Sequence, residues 1–338
     1  MPNQTSSFAI STMQPFEEGA DPEEEQLVTS LRVSAWDNFH GQPQVKQSLQ
    51  IAIQAAKERG EAVDHILLYG PPGLGKTTLS HLVSKEMDTN LIVTSGTAIA
   101  KAGDLAAILT NLQEHNILFI DEIHRLRKPI EEMLYTAMED FALDIVIGKG
   151  PSARTVRVDL PPFTLVGATT RFGALSGPFR DRFGVVHRME YYTPDLLDTI
   201  LQQAAKTLKV ELDTDSAHAI ARRARGTPRI ALKLLKRVRD FAQVQQAAIS
   251  PELATQALKL LAVDGLGLND IDRHFLTTLI EKHGGGPAGL TTIAAAISED
   301  PLTIEEVIEP YLLQIGFIKK TPQGRVVSEL AKQHLGLK

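Results

Sequence analysis

The chain has 338 residues, 43% hydrophobic and 22% charged, with a formal net charge of −6 and no cysteine. That balance fits a soluble globular protein of two or three domains, excludes disulfides and thiolate metal sites, and suits a reducing cytoplasm. No apolar run approaches the ~20 residues of a membrane span, no secretion signal opens the chain, and the acidic balance confines any nucleic-acid contact to local patches or to repeated copies in an assembly.

Residues 1–26 are polar and then acidic, with Glu17-Glu18 and Glu23-Glu24-Glu25, and read as a disordered tail without an assigned role. A first domain is expected over 27–192. Leu31-Arg32 opens it, and a helix follows from Pro43 to Arg59, with Val45, Leu49, Ile53 and Ala56 at helical spacing. Next comes the stretch from His65 to Thr78. Ile66-Leu67-Leu68 reads as a buried strand, and Leu79 and Leu82-Val83 continue a helix beyond the turn. Between them, Gly70 is followed after four residues by Gly75-Lys76-Thr77, the spacing of a phosphate loop. Glycines let backbone N–H groups wrap anionic oxygens, and the helix turns its positive end to them. Lys76 is placed for β- and γ-phosphates and the Thr77 hydroxyl for Mg2+. The alternative is an ordinary Gly-Pro turn.

Strand and helix then alternate: a strand at Leu91 to Thr94, a helix at Leu105 to Leu112, and strands at Ile117 to Ile120, Phe163 to Thr170 and Val185 to Tyr191. Continuous apolar strands alternating with helices predict an α/β fold with a parallel sheet covered on both faces. Ligands then bind at the carboxyl ends of the strands, where Gly70, Asp121 and Thr170 all fall. Asp121-Glu122 ends an apolar strand. Asp121 suits Mg2+ and Glu122 suits activation of a water; the competing reading is a helix N-cap. His124 completes an Asp-Glu-x-His string, but it reads equally as a polar surface residue.

Residues 143–159 read as two alternating strands around a Gly/Pro turn, a hairpin standing off the sheet. Val156 and Val158 share one face, which either packs on the domain or docks a partner. Thr170 offers a hydroxyl to a hydrolytic water. Arg180 and Arg182 lie on a loop past the sheet, where they either reach the nucleotide of a neighbouring copy or form surface ion pairs.

From Thr193 the pattern is helical only: Leu196 to Leu208, Asp215 to Arg225, Arg229 to Gln246 and Pro251 to Leu261. This predicts a small helical domain over 193–264. Gly226-Thr227-Pro228 breaks the second helix from the third. Arg229 then sits in a first helical turn, where a cation opposes the helix dipole, so it reads as facing an anionic ligand. The last domain, 265–338, shows helices at Asp270 to Lys282, Thr291 to Ile297 and Ile304 to Tyr311, then strands at Phe317 to Lys320 and Arg325 to Val327. That order is a winged helix. Lys319, Lys320, Arg325, Lys332 and Lys338 stand against a lone local Glu329 and suit duplex phosphates; the other reading is a protein-contact module with solvated lysines.

Several strings together are more specific than any phosphate loop: Leu118-Phe119-Ile120-Asp121-Glu122-Ile123-His124-Arg125-Leu126, Ile147-Gly148-Lys149-Gly150-Pro151-Ser152-Ala153-Arg154, Asp159-Leu160-Pro161-Pro162 through Ala168-Thr169-Thr170-Arg171, and Arg225-Gly226-Thr227-Pro228-Arg229-Ile230-Ala231. With them the chain, from about Leu31 to near its C-terminus, resembles the RuvB family of bacterial AAA+ ATPases, the motors of Holliday-junction branch migration. The resemblance implies an AAA+ nucleotide-binding domain, a lid and a winged-helix domain, acting in homologous recombination and DNA repair. It implies ATP and Mg2+, with Leu31, Arg32, Gly70, Gly73, Gly75, Lys76, Thr77, Thr78, Glu139, Asp140, Phe141 and Tyr192 lining the nucleotide site. It makes Thr170 a first sensor, Arg182 a finger acting in the neighbouring subunit, and Arg229 a second sensor. Val156 and Val158 match the hairpin positions that bind RuvA, and Lys320 and Arg325 match the DNA-contacting wing. A cytoplasmic homohexameric ring around duplex DNA is implied, with RuvA at the junction, RuvC nearby and no membrane.

The sequence departs from the family pattern at Val33, where Pro is usual, at Ala100 and Ala102 in place of Glu and Pro, and at Phe179 in place of Leu. Lys320 replaces Arg, which keeps the charge and loses the fork geometry. Two rival readings are a clamp-loader or origin-initiator ATPase, which the hairpin insertion disfavours, and a nucleotide-locked scaffold on DNA, which Glu122 and Arg182 disfavour.

Overall fold

The computed structural model describes residues 29–147 and 154–337. The acidic tail and the hairpin turn at 148–153 lie outside the described residues. The chain divides into two compact units, Arg32–Tyr192 and one that contains Thr193–Lys338.

In the first unit, five strands form one sheet: β1 (Ile66–Tyr69), β2 (Leu91–Ser95), β3 (Ile117–Asp121), β6 (Thr164–Thr169) and β7 (Val185–Arg188), in the order β2-β3-β6-β1-β7. Every pairing is parallel. Helices α1 (Pro43–Arg59), α2 (Lys76–Glu86), α3 (Ala102–Thr110), α4 (Lys128–Asp140) and the short α5 (Gly177–Arg180) accompany it. The expectation of a sheet covered on both faces holds for the three inner strands. Ile66, Leu67, Leu68, Leu118, Ile120, Leu165 and Val166 are fully buried, each side chain contributing about 1.5–3 kcal/mol by leaving water. At the two edges Val93 and Val186 are exposed, because an edge strand has a neighbour on one side only. In α1 the four apolar positions Val45, Leu49, Ile53 and Ala56 are all buried. Leu105, Leu109, Ile130, Leu134, Phe163, Phe179 and Phe183 join the strands in one core; Phe179 is among its largest fully buried side chains.

A separate antiparallel hairpin joins β4 (Ala142–Ile147) to β5 (Arg154–Asp159), with Leu143 opposite Val158 and Ile145 opposite Val156. It stands outside the main sheet.

The second unit holds α6 (Pro194–Leu208), α7 (Thr214–Ala221), α8 (Pro228–Gln245) and α9 (Pro251–Leu260). Thr193, Asp213 and Ser250 cap α6, α7 and α9 through their side chains. Then come α10 (Asp270–His283), α11 (Leu290–Ile297), α12 (Pro301–Thr303), a π-helical turn at Ile304–Ile308 and α13 (Glu309–Gln314). The wing pairs β8 (Ile318–Thr321) with β9 (Gly324–Val327). A final helix, α14 (Glu329–Leu335), was not expected; Ser328 caps it and Ala331 sits in the core. Among the described residues no helix is long and apolar enough to cross a membrane.

Candidate nucleotide site and nucleic-acid interface

The carboxyl ends of three adjacent strands, β3, β6 and β1, bring the expected residues to one edge. After β1 the chain turns through Gly70, Gly73 and Gly75, at φ of 139°, 76° and 101°. Glycine is required at Gly70, where a Cβ would lie 2.8 Å from the Met189 carbonyl oxygen. Gly75 caps α2, so Lys76, Thr77 and Thr78 form its first turn. Lys76 is buried, and its Nζ donates to the carbonyls of Gly70 and Pro71, each at 2.8 Å. Burial pushes its pKa down, and the nearby carboxylates of Asp121 and Glu122 offset this only in part. A buried ammonium in a cradle of glycines at a helix N-terminus is a place for an anion.

Asp121 ends β3 and its Oδ1 accepts from the Glu122 N–H at 2.9 Å. Glu122 takes a left-handed backbone at φ 46°, a conformation that non-glycine residues hold at some cost and that concentrates at functional sites. Its Oε2 accepts from the Thr170 hydroxyl at 3.1 Å. The expected first sensor therefore touches the expected base. His124 belongs to the same cluster, with Nδ1 3.2 Å from Glu122 Oε2, and its side chain is 6% exposed. The sequence leaves it open between a motif member and a polar surface residue; the juxtaposition of β3 with β6 decides.

Two further expected residues lie around the loop. Arg32 NH1 meets His81 Nε2 of α2 at 2.5 Å; burial, then the guanidinium, lowers the His81 pKa. Tyr192 is buried and donates to the Leu74 carbonyl at 3.2 Å, with its phenol pushed up to about 12 chiefly by burial. Its ring closes against Gly41, where a Cβ would come within 2.5 Å. Leu31 is half-buried.

Arg182, Glu139, Asp140 and Phe141 gather at the end of α4. Arg182 donates to the Tyr135 hydroxyl, pairs with Glu139 Oε2 at 2.7 Å and lies over the Tyr135 ring at 4.6 Å. Asp140 pairs with Arg157 of the hairpin at 2.7 Å. Phe141 packs edge-on against Phe163 at 5.8 Å, a core contact. On the hairpin, Val156 is 43% exposed and Val158 is half-buried.

In the second unit Arg229 occupies the first turn of α8, behind Thr227. Sequence reasoning missed its neighbour Arg225, which is buried. Arg225 Nε donates to the Gly267 carbonyl at 2.7 Å, its NH2 pairs with buried Asp272 at 2.5 Å, and it lies over the Tyr311 ring at 5.1 Å. These contacts tie the helical lid to the winged helix.

On the wing, Lys320 lies opposite Arg325. Both point to Glu309, which is fully buried: Arg325 Nε is 2.5 Å from Oε1 and Lys320 Nζ is 2.6 Å from Oε2. Glu305 stands 4.0 Å from Lys320 Nζ. Along the sequence Glu329 is the lone local acid, whereas the fold sets the carboxylates of Glu305 and Glu309 against the wing. Arg325 is 15% exposed and Lys320 43% exposed in their side chains, so Lys320 is the freer of the two for a phosphate.

Three family models match. Residues 31–189 match the P-loop domain of the Holliday junction DNA helicase RuvB, residues 192–264 the RuvB AAA lid domain, and residues 265–336 the RuvB C-terminal winged helix domain. Among solved structures the chain is similar to the Thermotoga maritima RuvB Holliday junction branch migration motor, at 48% identity and a TM-score of 0.84, over 91% of this chain and 99% of that one. A single-substitution variant of that protein gives 48% identity and a TM-score of 0.85 over the same shares.

Proposed function

The chain belongs to the RuvB family, and from that membership we propose that it is an ATP-driven DNA translocase that migrates Holliday junctions in recombination and repair. The observation that carries the reading is the meeting of the Gly70–Thr77 loop, Asp121-Glu122 and Thr170 at one sheet edge. ATP is the substrate. Gly70, Gly73, Gly75, Lys76, Thr77 and Thr78 are assigned to its phosphates, and Leu31, Arg32 and Tyr192 to the base side.

Thr77 and Asp121 supply the hard oxygen donors that Mg2+ prefers. When bound, the ion would neutralise charge on the β- and γ-phosphates. Glu122 accepts the proton of the attacking water as general base, and Thr170 orients its carboxylate. Arg229 is assigned to sensing the γ-phosphate. Arg182 stabilises the transition state in the next copy of a ring, a role worth roughly 10³–10⁵ in rate elsewhere; Glu139, Asp140 and Phe141 are assigned to lining the nucleotide site.

The exposed Val156, with Val158, suits docking of RuvA, and RuvC joins the complex at the junction. Lys320, with Arg325 behind it, contacts duplex phosphates. The ring is a homohexamer working in the cytoplasm. The test is branch migration of a synthetic four-way junction with ATP, with and without RuvA. The intact protein dissociates the junction, and Glu122→Gln binds ATP but does neither hydrolysis nor migration. Migration without ATP, or full turnover by Glu122→Gln, would overturn the reading.

A further inference from the structure

Glu122 is a flexible side chain placed on a strained backbone, and a general base must be held in one orientation to act. Its Oε2 has two neighbours: the Thr170 hydroxyl at 3.1 Å and His124 Nδ1 at 3.2 Å. The same Nδ1 lies 2.9 Å from Thr169 Oγ1, whose oxygen also accepts the Arg171 N–H at 2.9 Å. A bare Nδ1 would set its lone pair against a carboxylate oxygen. A protonated Nδ1 would offer its hydrogen to Thr169 and face Glu122 as a donor, the tautomer that suits both neighbours. The His124 side chain is 6% exposed and Thr169 is fully buried, so the ring is fixed by packing.

We propose that His124 is a positioning residue for ATP hydrolysis: its Nδ1–H, anchored on Thr169 at the end of β6, holds one oxygen of Glu122 beside Thr170 and leaves the other to take the proton of the attacking water. This rests on Glu122 being the base. His124 touches no reacting atom; it acts through Glu122.

The test is steady-state ATP turnover by the full chain on junction DNA, with kcat and KM separated. Three variants distinguish positioning from packing. His124→Ala removes the donor, and kcat falls about 10–100-fold at unchanged KM. His124→Asn sets an amide N–H where Nδ1 was, and kcat stays within a few-fold of the parent. His124→Gln keeps more bulk but carries its amide towards the Nε2 position, and it behaves like the alanine variant. If the alanine variant does not fold, the Asn and Gln pair decides alone.

Equal activity of Asn and Gln variants, a wild-type kcat in His124→Ala, or a loss confined to KM would overturn the proposal. Glu122→Gln in the same assay separates the two readings. Full turnover there removes the base, whereas an inactive Glu122→Gln beside a fully active His124→Ala removes only the positioning role. In the double variant, His124→Ala adds no loss to Glu122→Gln.

Discussion

Arg182 and Glu139 form an ion pair at 2.7 Å within one subunit, and Tyr135 seats the guanidinium under its hydroxyl and ring. The Tyr135 bond, then the Glu139 charge, raises the Arg182 pKa, so the group is a permanent cation. A guanidinium held at the C-terminal half of α4 with its side chain 34% exposed suits donation to another copy. Lys76→Ala and Arg182→Ala are each expected to lose ATP turnover, and mixing them is expected to restore part of it, because mixed neighbours rebuild some complete sites. Turnover assayed across mixing ratios checks this; a flat line at zero counts against a shared site.

The wing carries a separable prediction. Lys320→Ala should weaken duplex binding evenly across sequences and reduce the log–log salt slope by about 1, with a smaller loss of stability than Arg325→Ala, because Lys320 is the more exposed of the two partners of Glu309. Arg325→Ala should also destabilise the winged helix, because it strips a partner from the buried Glu309 carboxylate. Fluorescence anisotropy against salt, with urea unfolding of each variant, separates the two. Equal unfolding midpoints would contradict the Glu309 anchor.

The Arg225–Asp272 pair is almost wholly buried, at 4% and 1% side-chain exposure. Asp272→Ala leaves a buried guanidinium without its carboxylate, a loss of about 3–5 kcal/mol. Denaturant unfolding monitored on the second unit is expected to show it. The pair couples the lid to the winged helix, so a milder variant, Asp272→Asn, should uncouple ATP turnover from junction migration more than it slows turnover.

His65 gives a pH dependence. It is buried; its Nδ1 accepts from the Leu165 N–H at 2.9 Å, and its Nε2 faces the Met138 carbonyl at 3.2 Å. Burial lowers its pKa below the ordinary value of 6.5. The unfolded chain therefore takes up a proton that the folded chain refuses, and stability drops as pH falls below about 6.5. His65→Gln should have a lower midpoint at pH 7.5 and a shallower fall between pH 6.5 and 5.5. An unchanged slope would remove His65 from the acid response.

Much of this was legible in the chain because it depends on local pattern. The phosphate loop and the apolar strands are written in neighbouring residues, so Lys76 could be placed at a helix start and Asp121 and Glu122 at a strand end. What stayed hidden joins distant segments. His124 reads equally as a motif member or a surface residue until β6 brings Thr169 beside it. Arg225 reads as the end of a helix until Asp272, 47 residues on, meets it. Glu309 sits in a helical stretch and gives no sign of facing a wing that begins at Ile318. Helix α14 was missed because Leu330, Ala331 and Leu335 make too short an apolar pattern to mark a seven-residue helix.

Catalysis by a site completed from the neighbouring copy is tested most directly by ATP turnover per protomer across a dilution series, with the assembly state followed by light scattering. Turnover per protomer is expected to climb steeply as rings form and to vanish in the dilute monomer. A monomer that hydrolyses ATP at the rate of the assembled protein would contradict it.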